Sequence, residues 1–192
     1  MNLANLVTCL RLLLIPAVVF SYHTQLAYSN LLAAFLFTLA SLSDWLDGYL
    51  ARRFDQRTEF GAFLDPVADK LLVVTVLIML VGENNKLMLP AVVIIARELL
   101  ISALREWMAG KGHREAVAVV FSGKLKTTIQ MIAIIMLMLV SPEAPQWMIM
   151  LVGSAMPVWL LMLGYGMIIL AALLSLYSAV QYFRVARPYL SP

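Results

Sequence analysis

Asp44-Trp45-Leu46-Asp47-Gly48-Tyr49-Leu50-Ala51-Arg52 closes one long apolar run of this chain, residues 29–51, and Leu64-Asp65-Pro66-Val67-Ala68-Asp69-Lys70 opens the next, residues 64–82. Further apolar runs lie near 6–23, 88–109, 122–141 and 158–183. Each is close to the roughly 20 residues that a helix needs to cross a bilayer. The chain has 192 residues, of which 62% are hydrophobic and only 13% charged, and its mean hydropathy is +0.89. A soluble domain carries about a quarter of its residues as charge. The expectation is an all-α, polytopic membrane protein with six transmembrane helices, forming one domain over residues 1–192.

Carboxylates at the ends of membrane helices require an explanation, because a buried Asp or Arg costs about 2.5–3.5 kcal/mol on insertion scales. Asp44 and Asp47 flank the same short link as Asp65 and Asp69, so four acids meet at one depth. Helical spacing puts Asp44, Gly48 and Arg52 on one stripe and Gly61, Asp65 and Asp69 on another. Each pair has a glycine one turn away, and glycine permits close backbone approach to a ligand. Four neighbouring carboxylates raise one another's pKa, so either some are protonated or cations neutralise them. Arg52 and Lys70 are the nearest basic residues. Ligands that are all oxygen favour hard ions such as Mg²⁺ or Mn²⁺, and two such ions about 3.5–4 Å apart form a phosphoryl-transfer clamp. The plainer alternative is that the aspartates cap helices or pair with arginines, Asp65 acting as an N-cap before Pro66.

The remaining chemistry-bearing residues are few. Cys9 is the single cysteine, which excludes an intrachain disulfide, and His23 and His113 stand apart, so a zinc site is not expected. The first run carries Arg11 among leucines and has no charged segment before it, which favours a retained span over a cleaved signal peptide. The net charge of +3 does not form a soluble basic face, and nucleic acid is excluded as a partner. Basic residues concentrate instead in the link 52–60 (Arg52, Arg53, Arg57), in and after the link 110–121 (Lys111, Arg114, Lys124, Lys126) and at the C-terminus (Arg184, Arg187), while the opposite loops hold Lys86 alone. That bias places both termini, and the acidic residues, on the cytoplasmic side. Gly123-Lys124 lacks the upstream glycine of a nucleotide P-loop. The segment 147–157, with Trp147 and Pro157, reads either as an interfacial turn or as the start of a long last span.

Taken together, Asp44, Asp47, Gly48, Ala51, Arg52, Gly61, Asp65 and Asp69 resemble the motif D-x2-D-G-x2-A-R-x8-G-x3-D-x3-D of the CDP-alcohol phosphatidyltransferase family. All eight fixed residues and their spacing over 26 positions are present. The resemblance implies a six-helix membrane fold, usually a homodimer, with its site at the cytoplasmic surface of the bacterial inner membrane. It implies that Asp44, Asp47 and Asp65 ligate two divalent cations, and that Asp69 ligates one of them and takes the proton of the acceptor hydroxyl. It further implies that Gly48, Ala51, Arg52 and Gly61 line the CDP-lipid pocket, with Thr58 adding a hydroxyl. Outside the motif, Asn5-Leu6-Val7-Thr8 with Arg11 and Pro16, Ala96-Arg97-Glu98-Leu99 through Ser102-Ala103-Leu104-Arg105-Glu106-Trp107, and Gly123-Lys124-Leu125-Lys126-Thr127 resemble the members that act on sn-glycerol 3-phosphate. These stretches add Asn5 and Thr8 to the CDP-lipid site. Beyond about residue 130 only apolar character and Gln181-Tyr182 match.

The resemblance thus implies CDP-diacylglycerol as donor and sn-glycerol 3-phosphate as acceptor, with CMP released. An anionic acceptor needs cations. Arg105, Lys124 and Lys126 are the candidates for its phosphate, with Arg97 a weaker one. Their plain alternative is structural: Arg97–Glu98 and Arg105–Glu106 as ion pairs, and both lysines snorkelling to the interface. Three other functions fit less well. A relative using serine, inositol phosphate or phosphatidylglycerol as acceptor would share the acidic motif. An aspartate-rich prenyltransferase separates its acidic motifs far more widely. A small ion-coupled transporter needs acids near mid-membrane on a through-path, and here they sit beside a link.

Overall fold

The computed structural model describes residues 3–24, 28–54, 59–112, 121–140 and 156–190, with the backbone alone for residues 3–7, 44–54, 59–63, 65, 66, 121–124, 156, 157 and 190. Among the described residues there are six α-helices and no strands: α1 (Leu3–His23), α2 (Ser29–Phe54), α3 (Glu59–Glu83), α4 (Met88–Gly110), α5 (Phe121–Leu139) and α6 (Met156–Leu190), with a 3-10 turn, Asn85–Leu87, leading into α4. Each apolar run of the sequence is a helix. The helices overrun the runs where the sequence turns polar. The third begins at Glu59 instead of 64, and the last continues to Leu190 through Arg184 and Arg187. Hydropathy marks where an apolar environment ends, whereas backbone hydrogen bonding carries a helix on past that edge.

Helix ends follow local chemistry. The Asn84 side chain accepts a hydrogen bond from the Lys86 amide at 3.1 Å and starts the 3-10 turn. Gly112 adopts φ +80° just beyond α4, the left-handed conformation that glycine supplies at a helix C-terminus. Pro157 lies in the first turn of α6, where its missing N–H has no helical partner to lose. The segment 147–155 lies outside the described residues, and Pro157 belongs to the last helix.

Helix α1 packs most extensively on α2, and α5 on α6; α1 also meets α3, α6 also meets α4, and α2–α5, α2–α3, α3–α4 and α3–α5 contacts join them into one bundle. Its centre is made by Val18 and Tyr22 of α1, Ala33, Ala34, Phe37 and Ala40 of α2, Leu72, Val76 and Leu77 of α3, Ile94 of α4, Ala133, Ile134 and Met138 of α5, and Ile168 and Ala171 of α6. Small residues on α2 and α6 let neighbouring backbones approach. At the end of the bundle away from the acidic link, Tyr22 donates a 3.0 Å hydrogen bond to Glu83 Oε2, and Asn84 bonds the Tyr165 hydroxyl.

The outside is also apolar. Phe20 and Leu89 are 75% exposed and Trp159 73%, and many other large hydrophobics lie open on every helix. A surface of this kind marks membrane association. Among the described residues, Asn85–Gly110 and Val158–Tyr189 are long and apolar enough to cross a membrane, and Thr8–His23, Ser29–Ser43 and Leu125–Leu139 are shorter apolar stretches.

Candidate active site

The acidic motif is spread over two packed helices joined by a four-residue link, residues 55–58. At about 1.5 Å per residue, Asp44 on α2 and Asp69 on α3 each stand roughly 15 Å from the helix end at that link, and Asp47 and Asp65 roughly 10 Å. The acids are therefore level in pairs, Asp44 with Asp69 and Asp47 with Asp65, the pairs about one helical turn apart. Because α3 starts at Glu59, Asp65 is well inside the helix and cannot be its N-cap. Asp69 is half-buried. The side chains of Asp44, Asp47, Asp65, Gly48, Ala51, Arg52, Gly61, Asn5 and Lys124 lie outside the described side chains, and Thr58 lies outside the described residues.

Around this level the bundle interior is polar. On α1, Thr8 and Arg11 are each 1% exposed, and Arg11 Nε donates to Ser43 Oγ of α2 at 3.5 Å. Lys70 of α3 donates to Ser102 Oγ of α4. Lys70, a possible partner of the aspartates by sequence proximity, thus reaches the neighbouring helix.

A second cluster joins α4, α5 and α6. Glu98 Oε2 accepts from Arg97 Nη1 at 3.0 Å and from Lys126 Nζ at 2.8 Å. Arg97 Nη2 donates to Ser178 Oγ of α6 at 2.8 Å, and the guanidinium lies 5.8 Å from the Tyr182 ring centroid. Lys126 is 1% exposed, Arg97 8% and Glu98 27%. The Arg97–Glu98 ion pair that adjacency suggested is formed, but Lys126 turns into the bundle and does not snorkel outward. Two cations on one carboxylate leave an excess of positive charge. Arg105, nearer the acidic-link end of α4, is exposed, as is Glu106. The buried atoms Arg97 Nε, Gln130 Oε1 and Ser175 Oγ have no hydrogen-bond partner, on the same three helices. Buried polar atoms are paired in the great majority of cases, and these three find no partner among the described residues.

Sequence names Glu98 only as an ion-pair partner of Arg97, and Ser102 and Tyr182 only within resembling stretches; it gives none of them a site role, and it does not name Ser178. Arg97-Glu98 adjacency and the Gln181-Tyr182 pair were the available signals. Serines inside an apolar helix carry no pattern that names their partner.

An all-helical bundle with an apolar exterior, and an acidic motif level across two helices, defines a membrane-associated transferase. The family model of CDP-alcohol phosphatidyltransferases matches residues 1–162, and the chain belongs to that family. Similarity to individual relatives runs further. A Pseudomonas fluorescens protein named CDP-diacylglycerol–glycerol-3-phosphate 3-phosphatidyltransferase is 45% identical over 99% of this chain and 92% of its own length. Proteins of the same name from Salmonella choleraesuis (strain SC-B67) and Shigella flexneri serotype 5b (strain 8401) are 41% and 42% identical, each over 97% of this chain and 95% of their own.

Proposed function

We propose that this enzyme transfers the phosphatidyl group of CDP-diacylglycerol to sn-glycerol 3-phosphate and releases CMP. The observation that carries this reading is the complete acidic motif, level on α2 and α3, in a chain whose relatives share one name along its whole length. The acceptor's 1-hydroxyl attacks the phosphorus that bears the diacylglycerol. A new P–O bond forms as the P–O bond to the CMP phosphate breaks, and the electron pair leaves with CMP. Asp69 takes the hydroxyl proton, so no covalent enzyme intermediate is required.

The donor set at the motif is all carboxylate oxygen and level, which suits hard divalent ions. Asp44, Asp47, Asp65 and Asp69 would hold two Mg²⁺ or Mn²⁺ ions, which when bound neutralise the diphosphate and the charge that grows on the leaving phosphate. Gly48, Ala51, Arg52, Thr58 and Gly61, with Asn5 and Thr8, would take the CDP-lipid. Arg105, Lys124 and Lys126 would bind the acceptor phosphate, with Arg97 a weaker contributor. We further propose six membrane spans in one domain over residues 1–192, both termini cytoplasmic, in a homodimer of the bacterial inner membrane.

The test is CMP release from CDP-diacylglycerol by purified protein, with labelled glycerol 3-phosphate, serine, inositol phosphate and phosphatidylglycerol supplied in turn. Labelled lipid should form with glycerol 3-phosphate alone. Formation with another acceptor would reassign the substrate, and absence of CMP release by folded protein would remove the enzyme reading.

A further inference from the structure

The mechanism leaves the last helix without a task, yet α6 makes two contacts to the cationic cluster. Ser178 Oγ accepts from Arg97 Nη2 at 2.8 Å and Tyr182 offers its ring to the same guanidinium at 5.8 Å. Both α6 residues are buried: Ser178 is 0% and Tyr182 5% exposed. The other terminal nitrogen of Arg97 is spent on Glu98, whose same oxygen holds Lys126 Nζ. A chain of contacts therefore runs from α6 through Arg97 and Glu98 to Lys126 on α5.

We propose that Ser178 and Tyr182 are positioning residues that fix the acceptor-phosphate pocket through Arg97, Glu98 and Lys126, and so help set which alcohol the enzyme accepts. This rests on the reading of Lys126 and its neighbours as the acceptor's cations. A guanidinium has a rigid fork of donors, and a fork held by α4 on one side and α6 on the other has one orientation. That orientation decides where the Glu98 carboxylate stands, and the carboxylate decides where Lys126 points. The buried atoms Gln130 Oε1, Ser175 Oγ and Arg97 Nε, which find no partner among the described residues, lie on the same three helices. The match to the family model ends at residue 162, before Ser178 and Tyr182. The similarity to relatives named for one acceptor covers 97–99% of the chain and so includes α6.

The experiment compares steady-state kinetics of the purified full chain with Ser178→Ala, Tyr182→Leu, Ser178→Thr and Tyr182→Phe, varying glycerol 3-phosphate and CDP-diacylglycerol separately. Loss of a hydrogen bond or ring contact to a buried charge should raise the acceptor KM about tenfold and leave the donor KM within about twofold. Ser178→Thr and Tyr182→Phe, which keep the hydroxyl and the ring, should restore wild-type values. An unchanged acceptor KM in Ser178→Ala and Tyr182→Leu overturns the proposal, and so does an equal rise in both KM values. Lys126→Ala and Arg105→Ala separate this from the underlying reading. If they raise the acceptor KM while the α6 variants do not, only the role of α6 fails. If they also leave it unchanged, the acceptor pocket itself lies elsewhere. Should Ser178→Ala not fold, Tyr182→Leu against Tyr182→Phe gives the same decision.

Discussion

Among the described residues, Glu98 is the carboxylate that Arg97 and Lys126 share, and Lys126 is almost sealed from solvent. Removing one member of a buried charge cluster strands the others, at a cost of about 3 kcal/mol. Glu98→Gln should lower stability by that order in a denaturant titration of the detergent-solubilised protein, and a shift below about 0.5 kcal/mol would show that the cations find other partners. Asp69 makes a different kind of prediction. Asp69→Asn keeps an oxygen but loses the proton acceptor, so turnover should fall by at least about a hundredfold while CDP-diacylglycerol binding persists. Substantial residual turnover would remove Asp69 as the base. The acidic motif was fully legible in sequence because eight residues at fixed spacing carry it. The charge cluster was legible only as candidates: sequence offered Arg105, Lys124 and Lys126 together, with Arg97 behind them, and only the fold separates buried Lys126 from exposed Arg105. Whether a lysine near a helix start turns inward depends on a partner 28 residues away, which spacing within one helix cannot reveal.

Among the elements, α5 and α6 have one of the two largest contact surfaces of the bundle, and Gly164 explains part of it. A Cβ at that position would stand 3.1 Å from Leu137 Cδ2 and Cγ and 3.5 Å from Met136 Cβ. Gly164→Val should push the helices apart and cost about 1–3 kcal/mol, read as a lowered unfolding midpoint. Gly166→Val, whose site has nothing within 4 Å of the added carbon, should be tolerated. Equal effects of the two would mean that the close approach is not limiting. The six helices were legible because each is announced by a long apolar run. Their ends were less so: Asp65-Pro66 imitates a helix start, yet α3 begins at Glu59. A proline inside a helix in an apolar bundle is tolerated where neighbours satisfy the freed carbonyl, so its presence does not mark a boundary as firmly as it does in water.

For the whole molecule, an apolar exterior around a polar interior level accounts for how a lipid-linked donor and a water-soluble acceptor can meet. Under the proposed function the lipid tails would stay outside the bundle while the diphosphate and acceptor reach the carboxylates and cations near one end. Reporter fusions after the C-terminus and within residues 25–27 should report opposite sides of the membrane, and the same side for both would reject the proposed topology. The proposed chemistry needs the acids of α2 and α3 to hold two cations together. Electron paramagnetic resonance of purified protein titrated with Mn²⁺ in the presence of CDP-diacylglycerol tests it most directly. Two spin-coupled ions per chain should appear, and both they and CMP release should be lost in Asp44→Asn/Asp65→Asn. Manganese binding and turnover that survive that double substitution would contradict it.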